Sequence, residues 1–340
     1  MFSMKKNLVY IGNHLRSSNK NPTYSLNLIS RLTAAGFHVV ETSSKSNKLL
    51  RYIDMWTTLI KHRKNCDFVL IDTYSTWNYY FAITLAWWAR RFKLKYIPIL
   101  HGGNIPRRLK TNPKQIKRYC AKAYCTVSPS AYLAEEFKKA GIENIEIVPN
   151  ALDIEKFQFS SGQSQTARLI WLRSFIPIYN PQLAIRAFKL VKEEFSHAEL
   201  TMAGPGEESL LNQCKELAAS LDLEIDFKGK LDQQEWIALA KEHDIFVNSS
   251  NFDNMPLSVI EAMAMGLAVV STDVGGMPHL INDEHDGLLA TAHDAESLAG
   301  AIAKLLTDTH LRAELIIKAR SKVEAYNWEA VIEKWRTVLN

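Results

Sequence analysis

The sequence predicts an α/β protein made of two doubly wound domains that face each other across a cleft. Short apolar runs alternate with helix-length segments along all 340 residues. Continuous Val, Ile and Leu runs separated by helices are typical of parallel sheets covered on both faces. A polar stretch at residues 160–166 follows the segment 148–157 near the middle of the chain and indicates a linker.

Six strand-like runs fall in each half of the chain. In parallel α/β sheets ligands lie at the carboxyl ends of the strands, so residues just after each run are the first candidates for a site. In the first half the runs are residues 8–11, 38–41, 68–72, 96–100, 124–127 and 145–148. In the second half they are residues 168–172, 199–203, 224–227, 245–248, 268–271 and 287–289.

Composition narrows the class of protein further. With 47% hydrophobic residues the chain can bury two cores. The four cysteines form no close pair and indicate free thiols in a reducing compartment. The first residues contain only a strand-length apolar run, unlike a signal peptide, and the longest uncharged window, residues 73–89, is too short and polar to span a membrane. These features predict a soluble, cytoplasmic protein.

The charge is divided unevenly between the halves. Residues 1–150 hold 24 Lys/Arg against 8 Asp/Glu, whereas residues 151–340 hold 17 against 28. Basic residues near tryptophans favour a peripheral face on the anionic inner surface of the cytoplasmic membrane. Trp87 and Trp88 themselves are expected in the core. No nucleic-acid recognition motif occurs, so nucleic acid is not a predicted partner. The basic clusters are residues 90–95, 107–110 and 114–122.

Residues 248–278 contain the most informative pattern, two acids placed around the start of a helix. Pro256 favours the first helical turn, and Gly266 is expected to end the helix before an apolar strand. Asp253 precedes this helix, and Glu261 lies eight positions later, alone in an apolar run. A buried carboxylate needs a polar partner, and a ligand hydroxyl would serve.

The backbone at the start of this helix adds a second recognition element. The free N–H groups of Leu257 and Ser258 could hold a phosphate. A site for a nucleotide sugar would use the two acids and these N–H groups together. The dinucleotide fingerprint of dehydrogenases is absent, because the Gly-Pro-Gly of residues 204–206 is followed by residues that break it.

These residues resemble the family-four retaining glycosyltransferases of the GT-B superfamily, also called glycosyl transferases group 1. The resemblance covers nearly the whole chain. It rests on DNMPLSVIE at residues 253–261 with its continuation to 276, HGGN at 101–104, VPNALD at 148–153, and Arg173 after the first strand of the second domain. It implies the GT-B fold, in which two Rossmann-like domains face each other across a cleft.

The resemblance also implies the domain boundaries. The acceptor-side domain would be residues 1–152 plus a C-terminal helix at about 327–340, because the last helix of similar proteins crosses back. The nucleotide-sugar domain would be residues 153–326. Five apolar residues could dock that last helix, since they share one helical face: Trp328, Val331, Ile332, Trp335 and Val338.

Roles for individual side chains follow from the same resemblance. Glu261 would hold the ribose hydroxyls of the donor, and Asp253 would contact hydroxyls of the transferred sugar. Arg173 would neutralise the leaving diphosphate, and His101 would lie near the donor sugar from the opposite domain. The predicted donor-binding set further contains Gly12, Asn180, Asn254, Met255, Pro256, Leu257 and Ser258.

Two positions depart from the family pattern. Asp253 stands where the family usually has the longer Glu. The usual lysine–glycine pair after the arginine is missing, and Ile178 and Tyr179 occupy its place. Asn180 could donate a hydrogen bond to the diphosphate but supplies no charge, so Arg173 would have less help.

Each candidate also has a purely structural interpretation. Asp253 could cap the helix that follows it. Glu261 could pair with a buried arginine, and Arg173 could be a structural ion-pair partner. His101 could cap a turn beside Gly102 and Gly103.

The predicted reaction is transfer of a sugar from a UDP- or GDP-type donor to a glycan or lipid-linked acceptor. It is expected to proceed with retention, without a metal or cofactor, in cell-envelope polysaccharide or lipopolysaccharide synthesis. No Asp-x-Asp metal motif occurs. One alternative is a sugar-nucleotide epimerase, although the eight acids of the first half form no obvious catalytic constellation. The other is a catalytically silent scaffold, which the missing lysine favours.

Overall fold

The computed structural model describes residues 6–13, 24–101, 105–160 and 166–340. The chain divides into two compact units. The first consists of Met1–Ala151 and Trp328–Asn340, and the second of Leu152–Asn327. Most of the predicted linker at residues 160–166, namely 161–165, lies outside the described residues.

The first unit is built on a six-stranded parallel sheet in the order β2-β1-β3-β4-β5-β6. Its strands are β1 (Asn7–Ile11), β2 (His38–Thr42), β3 (Phe68–Thr73), β4 (Lys95–Leu100), β5 (Thr126–Ser128) and β6 (Ile145–Ile147). Its first helices are α1 (Tyr24–Ala34), α2 (Lys48–His62), α3 (Asn78–Arg91), α4 (Pro106–Thr111), α5 (Pro113–Ala121) and α6 (Ala131–Lys139).

The second unit repeats this plan with the strand order β12-β11-β10-β7-β8-β9. Its strands are β7 (Arg168–Leu172), β8 (Glu199–Ala203), β9 (Ile225–Gly229), β10 (Ile245–Asn248), β11 (Ala268–Thr272) and β12 (Leu288–Ala290). Its helices are α7 (Pro181–Glu194), α8 (Glu208–Ser220), α9 (Gln233–Ala240), α10 (Leu257–Met265), α11 (Met277–Leu280), α12 (Ala295–Thr307) and α13 (Thr309–Glu324). The last helix, α14 (Trp328–Val338), belongs to the first unit.

Helices cover both faces of each sheet. Successive residues of a strand point to opposite faces, and apolar residues occur on both. In β1, Val9 and Ile11 pack with α2, α3, α5 and α6, whereas Leu8 and Tyr10 pack with α1 and α14. In β7 of the second unit, Leu169 and Trp171 face α7, α8 and α12, and Ile170 faces α9 and α10. The predicted doubly wound α/β architecture is confirmed for both units.

All twelve predicted strand runs are strands, and their ends agree within two residues. The five apolar residues that we expected on one face of the last helix are buried together against α1 and the first sheet. The expectation that Trp87 lies in the core is wrong, because its side chain is 50% exposed. Of the two neighbouring tryptophans only Trp88 packs inward, with its ring centroid 5.7 Å from that of Trp56 in α2.

Two further expectations concern reactivity and membranes. All four cysteines are free, and burial raises the pKa of Cys66 to about 11 and that of Cys120 to about 12, which makes their thiolates scarce. In the described part of the chain, every helix is too short or too polar to cross a bilayer.

Candidate functional site

The carboxyl edge of the second sheet gathers most of the predicted site residues. Arg173 directly follows β7, and the loop containing Asp253 follows β10. Because β7 and β10 are neighbours in the sheet, the two loops meet although they are distant in sequence. α10, which begins after this loop, carries Ser258 and Glu261 into the same region.

Arg173 is held by three different kinds of contact. Its guanidinium forms an ion pair with Asp253 and donates a hydrogen bond to Ser258 Oγ at 3.2 Å. The guanidinium carbon lies 3.9 Å from the centre of the Tyr179 ring, a cation–π contact. The guanidinium is therefore oriented by the protein, and its buried Nε–H has no acceptor among the described residues.

Asp253 faces Arg173 and does not cap α10. The residue at the helix N-cap is Pro256, without a side-chain cap. Asp253 Oδ1 accepts from the Asn254 N–H at 3.0 Å, and the Ser250 hydroxyl donates to Oδ2 at 3.4 Å. Burial raises the pKa of the Asp253 carboxyl, and the Arg173 charge opposes that shift. The capping alternative is therefore wrong, whereas the ion pair considered for Arg173 is present.

The start of α10 has backbone N–H groups without acceptors, as is general for the first turn of a helix. The first N–H bonded within the helix is that of Val259, which donates to the Pro256 carbonyl at 3.2 Å. The N–H groups of Leu257 and Ser258 precede it and have no acceptor in the described part of the chain. α10 ends at Gly266, whose φ of 88° is left-handed as expected for a glycine stop. This helix terminus can accept an anion.

Glu261 has a neutral partner instead of an arginine. The indole N–H of Trp236 in α9 donates to Glu261 Oε2 at 3.0 Å. Burial raises the pKa of Glu261 to about 7, and the Trp236 hydrogen bond only partly opposes that shift. None of the described arginines pairs with it, so the buried-arginine alternative is wrong. Among the described side chains, only the Trp236 indole therefore donates a hydrogen bond to this carboxyl.

Trp236 was missed at the sequence level. The start of α9 could be read from Asp232 and Glu235, which form a capping box in the structure. The sequence therefore locates the helix. It does not show that the indole reaches Glu261 of another helix, because that contact depends on how α9 and α10 pack.

Asn180, a member of the predicted donor-binding set, makes local contacts at the start of α7. Its backbone is left-handed, with φ 43°, and its side-chain oxygen caps α7 by accepting from the Leu183 N–H at 3.3 Å. Its amide also donates to Asn251 Oδ1 at 2.8 Å. The side chain that we expected to face the diphosphate is therefore used to hold the turn between β7 and α7. That turn places Tyr179 against Arg173.

Three glycines allow these loops to approach closely. A Cβ at Gly204 would lie 1.9 Å from the Arg173 carbonyl oxygen. At Gly275 it would lie 2.2 Å from the Asp253 carbonyl oxygen, and at Gly276 it would lie 1.9 Å from that of Asn254. Only glycine fits at these contacts. The glycine pairs were visible in the sequence, but their role as supports of the Arg173 and Asp253 loops was not.

His101 belongs to a separate cluster at the carboxyl edge of the first sheet. Its Nε2 lies 2.7 Å from Asp72 Oδ1, to which the Tyr10 hydroxyl also donates at 2.8 Å. The imidazole stacks on Tyr74 with 4.9 Å between ring centres. Burial, reinforced by Asp72, raises the pKa of Tyr10 far above its usual value, so its hydroxyl keeps its proton.

This cluster contains one of the eight acids of the first half, Asp72, which the sequence did not single out. Asp72 was missed because it reads as the last residue of a buried strand. Residues 102–104, on which the turn-capping alternative for His101 depends, lie outside the described residues.

Gly12 directly follows β1, and both its backbone N–H and its carbonyl take part in hydrogen bonds. Its N–H donates to the Thr42 carbonyl at 2.7 Å, and its carbonyl accepts from the Ser43 N–H at 2.9 Å. A ligand that approaches Gly12 would therefore find no free amide there. Among the remaining predicted donor residues, Asn254 and Pro256 are buried and Met255 is half-buried beside the core.

The described ranges contain no group of three or more His, Cys, Asp or Glu side chains that could together hold a metal ion.

Comparison with known families identifies the class of protein that this fold and site define. The model of the family Glycosyl transferases group 1 matches residues 153–322, and that of Glycosyltransferase Family 4 matches residues 33–156. The chain belongs to the Glycosyl transferases group 1 family.

Individual relatives act in polysaccharide synthesis, according to their names. The chain is 27% identical over 309 residues to the amylovoran biosynthesis glycosyltransferase AmsK of Erwinia amylovora, covering 86% of this chain and 74% of AmsK. It is 28% identical over 228 residues to the putative teichuronic acid biosynthesis glycosyltransferase TuaC of Bacillus subtilis, covering 62% of this chain and 55% of TuaC.

The same fold occurs in solved structures. The Anabaena protein HepE in complex with UDP superposes with a TM-score of 0.78 at 16% identity, covering 99% of both chains. Sucrose-phosphate synthase from Thermosynechococcus elongatus superposes with a TM-score of 0.77 at 17% identity, covering 98% of both chains. At these identities the similarity establishes the GT-B fold.

Proposed function

We propose that the protein is a retaining glycosyltransferase whose second unit binds a nucleotide-diphosphate sugar. The observation that carries this proposal is the convergence of three unsatisfied groups at one sheet edge. They are the Glu261 carboxyl, which accepts one hydrogen bond from Trp236, the free N–H groups that start α10, and the Arg173 guanidinium, whose Nε–H lacks an acceptor among the described residues. A nucleoside diphosphate supplies hydroxyls to the first and anionic oxygens to the other two.

Each part of the donor has a complementary group in this proposal. Glu261 accepts hydrogen bonds from ribose hydroxyls, and the N–H groups of Leu257 and Ser258 bind the diphosphate at the positive end of the helix dipole. HepE, which has the same fold, has been crystallised with UDP and with UDP-glucose. We therefore favour a UDP-type donor over a GDP-type donor.

The reaction would depend on charge compensation at the leaving group. The bond between the anomeric carbon and the diphosphate oxygen breaks, and its electron pair leaves with the diphosphate. Arg173 stabilises that charge, while Asp253 exchanges part of its ion pair for a hydroxyl of the transferred sugar. The acceptor oxygen bonds to the same face of the anomeric carbon, and its proton passes to the departing phosphate oxygen.

Neither a metal nor another cofactor is part of this proposal. Arg173 and the α10 terminus would supply the positive charge that a metal provides in other transferases. Activity that is abolished by EDTA and restored by Mg²⁺ or Mn²⁺ would contradict this part of the proposal.

Calorimetric titration with UDP, GDP and ADP tests the donor site. We expect one nucleotide to bind and Glu261→Ala to weaken its binding by about tenfold or more, because a charge-assisted hydrogen bond is lost. The effect should shrink when the 2′-deoxy form of the same nucleotide is used, since Glu261 then has fewer hydroxyls to bind. Glu216→Ala, on the exposed face of α8, is the matched control. Failure of all three nucleotides to bind would refute the proposal and favour a silent scaffold.

We also propose a lipid-linked acceptor at an anionic membrane, on the basis of an apolar patch in the first unit. Its members are Leu49, Leu50 and Ile53 of α2, and Trp77 and Tyr80 at the start of α3, all exposed. The two helices cover the same sheet face, with Tyr52 and Phe81 5.3 Å apart between ring centres. Arg108 of α4 stacks over Tyr80 at 5.4 Å. Apolar side chains beside cations suit an anionic lipid surface.

The names of two relatives support a wider setting. AmsK is named for amylovoran biosynthesis and TuaC, as a putative enzyme, for teichuronic acid biosynthesis. We propose cell-envelope polysaccharide synthesis, with lipopolysaccharide as one case, as the setting of this protein. A cytoplasmic location on the inner face of the membrane is part of the same proposal.

A further inference from the structure

The turn of residues 177–180 places Tyr179 against Arg173, with the guanidinium carbon 3.9 Å from the ring centre. Its last residue, Asn180, has a left-handed backbone with φ 43°. A residue other than glycine keeps this conformation only where surrounding contacts hold it. Those contacts come from the loop that follows β10. The position of the Tyr179 ring therefore depends on a second loop.

Ser249, in that loop, holds the turn from inside the protein. Its side chain is fully buried, and its hydroxyl donates to the Asn180 carbonyl at 2.8 Å, with the Tyr179 carbonyl 3.1 Å away as a second acceptor. The indole N–H of Trp171 in β7 donates to the same hydroxyl oxygen at 3.0 Å. A hydroxyl has one proton and two lone pairs, so the indole leaves the Ser249 proton for the turn.

Asn251, two residues later, holds the remaining part of the turn. Its backbone N–H donates to the Ile178 carbonyl at 2.8 Å. Its side-chain amide donates to the Pro177 carbonyl at 3.1 Å, and its side-chain oxygen accepts from the Asn180 amide at 2.8 Å. Together with Ser249, it contacts every residue of the turn, so the turn cannot move without breaking hydrogen bonds to this loop.

The same loop also supplies the other contact that orients Arg173. Asp253, farther along the loop, forms the ion pair with the guanidinium. Residues 249–253 thus act on Arg173 by two routes, directly through the Asp253 carboxylate and indirectly through the Tyr179 ring. Because Ile178 and Tyr179 stand where the family pattern has a lysine–glycine pair, the orientation of Arg173 matters more than it would beside a lysine.

We propose that Ser249 and Asn251 are positioning residues for Arg173 and act on it through Tyr179. They hold the turn, the turn fixes the Tyr179 ring, and the ring fixes the plane of the guanidinium. This inference rests on the proposed function, which assigns the leaving diphosphate to Arg173. Neither Ser249 nor Asn251 is among the groups proposed to touch the donor.

NMR of protein that contains isotope-labelled arginine tests the orientation without any nucleotide. The Nε–H signal of Arg173, identified by its loss in Arg173→Lys, should be shifted upfield by the ring current of Tyr179. Tyr179→Ala should remove this shift. Ser249→Ala and Asn251→Ala should each remove most of it, because the ring then no longer stays over the guanidinium.

Ser128→Ala is the matched control variant. Ser128 is also a fully buried serine, at the end of β5, and its hydroxyl donates to the Ser130 carbonyl at 2.7 Å. It lies in the first unit, so this variant loses a similar hydrogen bond but should keep the Arg173 shift. Asn251 is only half-buried, so Asn251→Ala keeps the test decisive if Ser249→Ala fails to fold.

Titration with UDP tests the route through Tyr179. Ser249→Ala and Asn251→Ala should each weaken UDP binding by about threefold, because part of the cation–π contact is lost. In a Tyr179→Ala background either substitution should have no further effect, since residues that act through one contact are not additive. Ser128→Ala should bind UDP like the wild type.

Two results would overturn the inference. One is an Arg173 signal that keeps its upfield shift in both Ser249→Ala and Asn251→Ala. The other is an equal loss of UDP affinity with and without the Tyr179 ring, which would mean that the two side chains act through the fold as a whole. Absence of binding by UDP, GDP and ADP in the wild type would contradict the proposed function, whereas the NMR comparison would still decide whether Ser249 and Asn251 position Arg173.

Discussion

At the residue scale, the burial of Glu261 suits its carboxyl to the proposed ligand. Its pKa is raised to about 7 because it is buried with a single neutral donor, the Trp236 indole. A ligand that donates hydroxyl hydrogen bonds favours the ionised form. Nucleotide binding near neutral pH should therefore be accompanied by proton release from this side chain.

The pH dependence of stability follows from the same pKa, with a definite sign. Because the folded pKa lies above the unfolded value of 4.5, the folded protein binds more protons between about pH 4.5 and 7. Wild-type stability should thus fall, relative to Glu261→Gln, as the pH rises through this window, by up to about 3 kcal/mol. Urea unfolding of both proteins at several pH values measures this difference.

Proton release on nucleotide binding gives an independent check on Glu261. Calorimetry in buffers with different ionisation enthalpies, near pH 7, should show more proton release for the wild type than for Glu261→Gln. Subtracting the variant removes the contribution of the nucleotide phosphate. Equal release by both proteins would show that ligand binding leaves the protonation of Glu261 unchanged.

Tyr179 occupies the position where the family pattern places part of a lysine–glycine pair, and it stacks on Arg173 instead. Tyr179→Ala should weaken nucleotide binding by about fivefold, since a cation–π contact of about 1 kcal/mol that orients Arg173 is lost. Tyr179→Phe keeps the ring and should bind nearly like the wild type. Unchanged affinity in Tyr179→Ala would show that the ion pair with Asp253 alone orients Arg173.

At the element scale, the loops of the proposed donor site depend on glycine contacts. A methyl group at Gly276 would meet the Asn254 carbonyl at 1.9 Å, so Gly276→Ala must displace the loop that precedes α10. We expect a loss of about 1–3 kcal/mol in the free energy of unfolding, together with weaker nucleotide binding. Gly300→Ala in α12 is the control, because nothing lies within 4 Å of the added methyl group.

The control variant should behave in the opposite way. Alanine favours the helical backbone over glycine by about 1 kcal/mol, so Gly300→Ala should raise stability and leave nucleotide binding unchanged. Urea unfolding and nucleotide titration of both variants supply the comparison. If Gly276→Ala were as stable and as active in binding as Gly300→Ala, the Gly276 contact would not control the site.

Local signals predicted the elements of the site better than its contacts. The start and stop of α10 could be read from Pro256 and Gly266, and both ends agree with the structure. The engagement of Asn180 with Asn251 could not be read, because it depends on two loops that meet only when β7 and β10 pair. The hydrogen bond from the Trp236 indole to Glu261 could not be read either, because it depends on how α9 packs against α10.

At the scale of the whole molecule, the uneven charge predicts where lipid would bind. Residues 1–150 combine 24 Lys/Arg with the apolar patch of α2 and α3. The protein should sediment with anionic phosphatidylglycerol vesicles, bind phosphatidylcholine vesicles poorly, and dissociate as salt rises, because the attraction is about 1 kcal/mol per well-placed cation and is screened.

Apolar contacts should contribute to this binding as well. Replacing Leu49, Leu50 and Trp77 by Ser should lower vesicle binding by about tenfold or more. Ile317→Ser is the matched control, since Ile317 is 59% exposed on α13 in the second unit. Binding that ignores both lipid charge and the triple substitution would rule out the proposed membrane face.

The sequence by itself determined the strand pattern, the α/β class, the start and stop of α10, and the family to which the chain belongs. These depend on hydrophobic periodicity and on residues that act over a few positions, such as Pro256 and Gly266. Tertiary structure alone decided that Asp72 holds His101 and that Trp236 bonds to Glu261. Those pairs come from different strands and helices, so they form only after the sheets and their covering helices have packed.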